Sequence, residues 1–179
     1  FLNTRFDSLM TSILRLLIHP FTVLAAIAAP VAAAWPQTSG TGLPLPRFVS
    51  LRVAEVNMRT GPGVQYPVEW VYHRQYLPVE VIAEYGTWRK VRDWQATRGW
   101  IHKALLSGRR TLIITKAMRT VRREPESRSA AVAKAEQDVV GRILKCGQDS
   151  GWCRVEVGGH EGWLRRVDFW GVYPDETVE

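Results

Sequence analysis

Two cysteines and one nearby histidine are the side chains best suited to covalent or metal chemistry. Cys146 and Cys153 are the only cysteines of the 179 residues, and His160 follows them closely. A structural zinc site needs four ligands, and these three fall short of it. The gap between the cysteines is too long for a redox pair with two intervening residues. A disulfide bond is therefore favoured over a zinc site or a cysteine nucleophile, provided that the fold brings the two residues together.

No other group of residues forms a catalytic constellation. Asp93 has no second carboxylate near it in the sequence, and His160 lies in a polar turn beside two glycines. His73 and His102 align with a lysine and an arginine in the repeat described below, which is typical of a solvated strand face. The motifs of phosphate-binding loops, dinucleotide-binding folds and serine hydrolases are absent. The sequence therefore predicts a protein that is not an enzyme and has no catalytic residue, cofactor or metal site.

A repeated strand-turn-strand pattern supplies the elements that must position any functional residue. Residues 88–91 are Trp-Arg-Lys-Val, followed by Gly-Trp-Ile at 99–101, and residues 152–155 are Trp-Cys-Arg-Val, followed by Gly-Trp-Leu at 162–164. A chain that repeats a supersecondary unit is built from two copies of it. Features that both copies share are expected to build the fold, and features that one copy alone keeps are candidates for function.

Both copies are predicted to be all-β with almost no helix. Short segments rich in β-branched and aromatic residues alternate with Gly, Pro, Asp and Asn, as is typical of strands and turns. Residues 127–134 are rich in alanine but are expected to form a strand, because their counterpart at 66–73 has the composition of one. The predicted three-stranded meanders span 78–84, 87–92 and 97–102 in copy 1, and 139–145, 152–157 and 161–165 in copy 2.

The repeat predicts a disulfide between Cys146 and Cys153. These residues flank the hairpin loop of copy 2, so they lie on neighbouring strands within bridging distance. An exported chain meets oxidising conditions, in which such a pair forms a bond. Their expected counterparts in copy 1 are Tyr85 and Arg89, so the fold itself does not require the bond.

The N-terminus predicts export. A short basic segment at 10–15, an apolar segment at 16–29 and three alanines at 32–34 match a cleaved secretory signal, with Met10 as an alternative start. The competing interpretation is an uncleaved anchor helix, which Pro20 and Pro30 would interrupt. The mature protein is expected to be periplasmic or secreted, without a stable membrane span. The expected organisation is a signal peptide at 1–34, a flexible leader at 35–47, copy 1 at 48–108, copy 2 at 109–174 and an acidic tail at 175–179.

The positive charge is spread along the chain. The formal charge is +7, and basic residues are distributed over both copies rather than concentrated in one block. Nucleic-acid binding usually requires a concentrated basic surface, so no nucleic-acid partner is predicted. A scattered positive charge instead suits an anionic polymer of the cell envelope.

The motifs of copy 1 follow one another in a characteristic order. Residues 57–63 are Asn-Met-Arg-Thr-Gly-Pro-Gly, and they precede Val-Glu-Val at 79–81 and the tryptophan motifs at 88–91 and 99–101. This arrangement resembles the bacterial SH3-like (SH3b) domain, and copy 2 is similar to a diverged second domain. The resemblance implies an all-β fold of two tandem small SH3-like β-barrels after the signal peptide. It also implies binding of cell-wall components or peptides.

The candidate ligand surface consists of what copy 1 keeps and copy 2 lacks, because Tyr and Trp present apolar faces with polar tips. Trp70 shares a strand face with Val68 and could instead be core, and Arg59 aligns with Arg119 and could instead stabilise the loop. The candidate ligand-binding residues are Asn57, Arg59, Pro62, Tyr66, Trp70, Tyr85 and Trp94. The tryptophans that both copies share are predicted to be structural, namely Trp88, Trp100, Trp152 and Trp163.

The predicted function is non-catalytic recognition of a cell-wall polymer (peptidoglycan), or of another envelope ligand, by copy 1. Copy 2 is expected to be a structural or docking partner. The alternative function is a protein–protein adaptor that recruits or regulates an envelope enzyme. A third hypothesis is a peptidoglycan cysteine peptidase acting through Cys153, since such peptidases often carry SH3-like domains.

Overall fold

Two antiparallel sheets make up residues 40–179, the part of the chain that the computed structural model describes. The predicted signal peptide at 1–34 and the first residues of the predicted leader lie outside the described residues. Between residues 40 and 179, no helix is both long enough and apolar enough to cross a membrane.

The first sheet, which we call domain 1, contains seven strands in the order β3-β2-β6-β5-β4-β1-β7. A single 3-10 turn at Lys103–Leu105 precedes the last of them. The strands are β1 Arg47–Leu51, β2 Val56–Arg59, β3 Val68–Tyr72, β4 Pro78–Tyr85, β5 Trp88–Arg92, β6 Arg98–His102 and β7 Leu106–Ser107.

The second sheet, domain 2, contains six strands in the order β10-β9-β13-β12-β11-β8, followed by a 3-10 turn at Arg166–Asp168. The all-β prediction is thus confirmed. The alanine-rich segment predicted as a strand at 127–134 forms one only from Ala131 to Ala135, and Ala135 is buried. The strands are β8 Thr111–Ile113, β9 Arg119–Arg122, β10 Ala131–Ala135, β11 Val140–Cys146, β12 Trp152–Val157 and β13 His160–Arg165.

The expected closed barrels are not found. Within residues 40–179, the first and last strands in the order of each sheet are not paired with each other. β3 pairs with β2 alone, and β7, only two residues long, pairs with β1 alone. Each domain is therefore an open sheet, and β3 and β10 are edge strands.

Each sheet covers its own hydrophobic core. Alternating side chains point to one face of each strand, and the inward residues are mostly Val, Ile and Leu. Ile113 of β8 belongs to the core of domain 1, and Trp170 packs against that core as well. The two domains thus share apolar contacts, and residues 40–179 belong to one compact unit.

The repeated Gly-Trp pattern has a steric cause. A Cβ atom on Gly99 would lie 2.9 Å from the carbonyl oxygen of Arg59, and one on Gly162 would lie 2.6 Å from that of Arg122. Both distances are too short for a side chain. Glycine is therefore required where β6 crosses β2 and where β13 crosses β9.

These crossings also correct the alignment of the two copies. β2 meets β6 at Arg59 and Trp100, and β9 meets β13 at Arg122 and Trp163. The counterpart of Arg59 is therefore Arg122, and the predicted pairing with Arg119 is wrong.

Burial explains why the identical Met-Arg-Thr triplets mislead. Met58 is fully buried, whereas Met118 is 51% exposed and Val121 takes the buried position in β9. The loop at 61–63 therefore corresponds to Glu-Pro-Glu at 124–126, so the proline is common to both domains.

Candidate functional site

The predicted disulfide between the two cysteines is confirmed. Cys146 and Cys153 face each other across β11 and β12, and both sulfurs are buried in the core of domain 2. The equivalent pair across β4 and β5 is Glu84 and Arg89, so the predicted counterpart Tyr85 was one residue off. Domain 1 thus holds a carboxylate and a guanidinium, 3.2 Å apart, where domain 2 holds a disulfide.

Glu84 is the centre of a small ionic cluster. Its side chain is 3% exposed and accepts hydrogen bonds from Arg47 and from the hydroxyl of Thr41. Burial opposes ionisation, but the hydrogen bonds from Arg47 and Thr41 and the charges of Arg47 and Arg89 outweigh it, so the pKa of Glu84 is lowered. The cluster ties the segment before β1 to the end of β4.

An ordered loop at 60–66 forms one wall of the candidate site. Arg59 donates from Nη1 to the carbonyl oxygens of Val64 at 3.1 Å and Tyr66 at 2.7 Å. A Cβ atom on Gly61 would lie 2.4 Å from the ring of Tyr66, so this ring packs directly on the glycine. Arg59 therefore positions the loop, which is the structural role that the sequence offered as an alternative to ligand binding.

A mostly apolar groove lies between this loop and the β5–β6 ladder. Its volume is about 350 Å³. Trp88 lies opposite His102 in the ladder, and their rings stack edge-on with centroids 5.4 Å apart. His102 Nδ1 accepts a hydrogen bond from the backbone N–H of Ala104, which fixes the ring. The groove is lined by Asn57, Arg59, Val64, Trp88, His102 and Leu105.

Domain 2 contains the same groove with different chemistry. Trp152 lies opposite Arg165 in the β12–β13 ladder, as Trp88 lies opposite His102 in domain 1. Arg122 donates to the carbonyl oxygen of Ser129 and supports its loop as Arg59 does. The residues that correspond to the lining of the first groove are Thr120, Arg122, Ser127, Trp152, Arg165 and Asp168, and Met118 and Arg119 line this groove as well.

The other predicted site residues are not all gathered in the domain 1 groove. Tyr66 is exposed at the end of the loop at 60–66. Tyr85 is exposed opposite Trp88 in the β4–β5 ladder. Trp70 is 51% exposed on β3, outside the groove. Trp94 packs against the core of domain 1, and Pro62 is half-buried.

Sequence reasoning missed Val64, Trp88, His102 and Leu105 as groove residues. All four shared tryptophans are half-buried, and none belongs to the fully buried cores of the two domains. The available signal was the cross-strand pairing of Trp88 with His102, since directly opposed residues share one face of a sheet.

Asp93, which the sequence left without a partner, has a structural role. One of its oxygens accepts a hydrogen bond from the hydroxyl of Tyr72 at 2.9 Å. The other accepts hydrogen bonds from the backbone N–H groups of Gln95 and Thr97. Burial and the Asp93 charge raise the pKa of Tyr72 well above its ordinary value. The carboxylate therefore closes the β5–β6 turn.

Comparison with known proteins identifies the two domains. The bacterial SH3 domain family matches the chain twice, over residues 52–108 and 115–171. No curated protein matches the chain. Among solved structures, NlpC2 from Trichomonas vaginalis is similar at 14% identity and a TM-score of 0.32, covering 70% of this chain and 48% of that one. NlpC1 from Trichomonas vaginalis is similar at 15% identity and a TM-score of 0.32, covering 69% and 45%. The chain thus spans about half the length of each of these two structures.

Proposed function

This chain belongs to the bacterial SH3 domain family, with two domains in tandem, and from that premise we propose that it is an exported, non-catalytic binding protein. Its first domain binds a cell-wall polymer or a peptide of the envelope. The groove of domain 1 is the site. The signal-like sequence at 1–34 supports export.

The observation that carries this proposal is the open groove beside the ordered loop of domain 1. Val64 is 76% exposed at its rim, and Trp88 provides an aromatic wall. Ligand sites combine apolar walls with a few fixed polar groups. Here the fixed polar group is the His102 ring, which accepts a hydrogen bond from the backbone N–H of Ala104, and Asn57 adds an amide to the lining. Such a site suits a sugar ring or a short peptide.

The cysteines support a non-catalytic role. Both sulfurs are committed to the disulfide and buried. A thiolate must be free and reachable to act as a nucleophile. We therefore assign Cys153 a structural role and do not propose a cysteine peptidase.

Co-sedimentation with purified peptidoglycan sacculi tests the proposal. We expect the wild-type protein to be retained and Val64→Asp to lower the retained fraction about tenfold, because a charge at the rim must be desolvated on binding. Val167→Asp is the matched control, since Val167 is 79% exposed in domain 2, and it should behave as wild type. Absence of wild-type retention at moderate salt, or equal behaviour of the two variants, would contradict the proposal.

A protein–protein adaptor is the second candidate, and one observation favours it. β3 is an edge strand whose Val68 and Trp70 are exposed. Such an edge can accept a strand from a partner. Chemical crosslinking in cells separates the two candidates. If the chain is an adaptor, it forms a crosslink to one specific protein, and Trp70→Ala abolishes that crosslink. The chain itself then has no affinity for sacculi.

A further inference from the structure

The groove of domain 2 is the strongest unassigned feature of the described residues. Its position matches that of the domain 1 groove, but its walls are cationic. Val64 and Leu105 in domain 1 correspond to Ser127 and Asp168 here, and His102 corresponds to Arg165. The site is thus built twice on the same scaffold with different ligand chemistry.

The charges in this groove do not balance. Three guanidinium groups line it, from Arg119, Arg122 and Arg165, against the single carboxylate of Asp168. Arginine stays protonated at all relevant pH values. The groove therefore carries a formal surplus of two positive charges.

Asp168 orients two of these arginines but does not saturate them. Arg165 donates from Nε and Nη2 to Asp168 at 2.8 and 3.0 Å, whereas Arg119 approaches it only to 3.5 Å. Arg165 is 48% exposed, and within residues 40–179 its Nη1 has no hydrogen-bond acceptor. A fixed, half-exposed guanidinium with free N–H donors is suited to a planar carboxylate.

Trp152 adds an apolar surface beside these charges. It lies directly opposite Arg165 in the β12–β13 ladder and lines the same groove. A ligand that places an aliphatic group on the indole ring could direct a carboxylate at the arginines. We infer that domain 2 carries a second binding site, specific for a carboxylate-bearing peptide.

This inference is independent of the ligand proposed for domain 1. It changes the role of domain 2 from a structural partner to a second recognition module. Two sites on one compact unit would engage a repetitive ligand with a higher effective concentration than either site alone.

Nuclear magnetic resonance on the 15N-labelled full chain tests the inference through the indole signal of Trp152. The probes are N-acetyl-Ala-Glu-Ala with a free C-terminus and its uncharged analogue, N-acetyl-Ala-Gln-Ala amide. We expect saturable movement of the Trp152 signal with the acidic peptide and little with the amide. Inorganic phosphate should move it less than the peptide does. Equal responses to the acidic peptide and the amide, or an equal response to phosphate, would overturn the assignment.

Variants distinguish the groove from general charge attraction. Arg165→Gln should weaken binding of the acidic peptide about tenfold, since charge-assisted hydrogen bonds are lost. Arg123→Gln removes the same charge from an exposed neighbouring position outside the groove and should leave binding unchanged. Arg119→Gln provides a second groove variant if Arg165→Gln is misfolded. Equal weakening by groove and control variants would overturn the inference, whereas a failure of sacculus binding at domain 1 would not affect it.

Discussion

At the scale of single residues, Glu84 shows how a buried charge is accommodated within a sheet. Its carboxylate is bound by Arg47, Arg89 and Thr41. A buried ion pair contributes little compared with an apolar pair, but removing one partner leaves the other charge uncompensated. The cluster therefore makes the end of β4 sensitive to single substitutions.

Glu84→Gln should lower the free energy of unfolding by about 3 kcal/mol at neutral pH, because Arg89 stays buried without its counter-charge. Folding lowers the pKa of Glu84 below its ordinary value of 4.5. The contribution of its carboxylate to the stability of the folded state is therefore fully present above pH 4.5. That stabilisation is lost as the pH falls through the lowered pKa. Urea denaturation from neutral to acidic pH measures this, and the variant should have a smaller acid dependence than wild type.

Glu161→Gln provides the control for this experiment. Glu161 pairs with Arg154 at 2.6 Å, but both side chains are more than half exposed. Exposed pairs contribute between zero and about 1 kcal/mol. A loss from Glu161→Gln as large as that from Glu84→Gln would show that burial is not the cause.

The candidate site could be predicted only in part, and the reason lies in individual residues. The motif at 57–63 identified Asn57 and Arg59, which do line the domain 1 groove. Trp88 was assigned to the fold because both copies keep it. The structure places Trp88 in the groove, and a residue that both copies share can line a groove that is itself repeated.

At the scale of strands and hairpins, composition was sufficient. β-branched segments and turn residues fixed the meanders to within about one residue of the structure, as β5 at Trp88–Arg92 and β12 at Trp152–Val157 show. The pairing between the copies was less certain, because identical triplets outweighed the burial pattern that separates Met58 from Met118. Register follows from which face is buried, and a sequence alignment does not contain that information.

The equivalence of the disulfide and the ion pair gives a prediction for the hairpins. The double variant Glu84→Cys, Arg89→Cys should form a second disulfide, because these positions pair across β4 and β5 as Cys146 and Cys153 do across β11 and β12. Thiol titration of the unfolded, unreduced protein should find no free thiol. Two free thiols would contradict the equivalence of the hairpins.

At the scale of the whole molecule, the two domains are joined by aromatic contacts and a hydrogen bond. Phe48 packs against Trp170 and Tyr173, with ring centroids 4.7 Å apart in each case. Tyr173 donates its hydroxyl to the buried Glu80 at 2.8 Å. Burial and this carboxylate raise the pKa of Tyr173 above its ordinary value. Trp170 and Tyr173, which follow β13, thus cover part of domain 1. The predicted acidic tail at 175–179 packs on domain 2 instead, where Val178 belongs to the core and Glu176 pairs with Arg110.

These contacts predict one cooperative unfolding transition for both domains. Calorimetry of the wild-type protein should show a single peak, since Phe48, Trp170 and Ile113 connect the two cores. Tyr173→Ala should separate it into two transitions by removing the aromatic and hydrogen-bonded contact. Two transitions in the wild-type protein would contradict a shared core.

The groove of domain 1, and not its exposed edge strand, is the proposed ligand site. Titration of Trp88→Ala and Trp70→Ala with soluble peptidoglycan fragments compares the same substitution inside and outside the groove. We expect Trp88→Ala to weaken binding at least about tenfold and Trp70→Ala to change it less than about twofold, since truncating a central aromatic anchor costs more than truncating a peripheral one. Circular dichroism confirms that both variants are folded. Loss of binding in Trp70→Ala with unchanged binding in Trp88→Ala would exclude the groove as the ligand site.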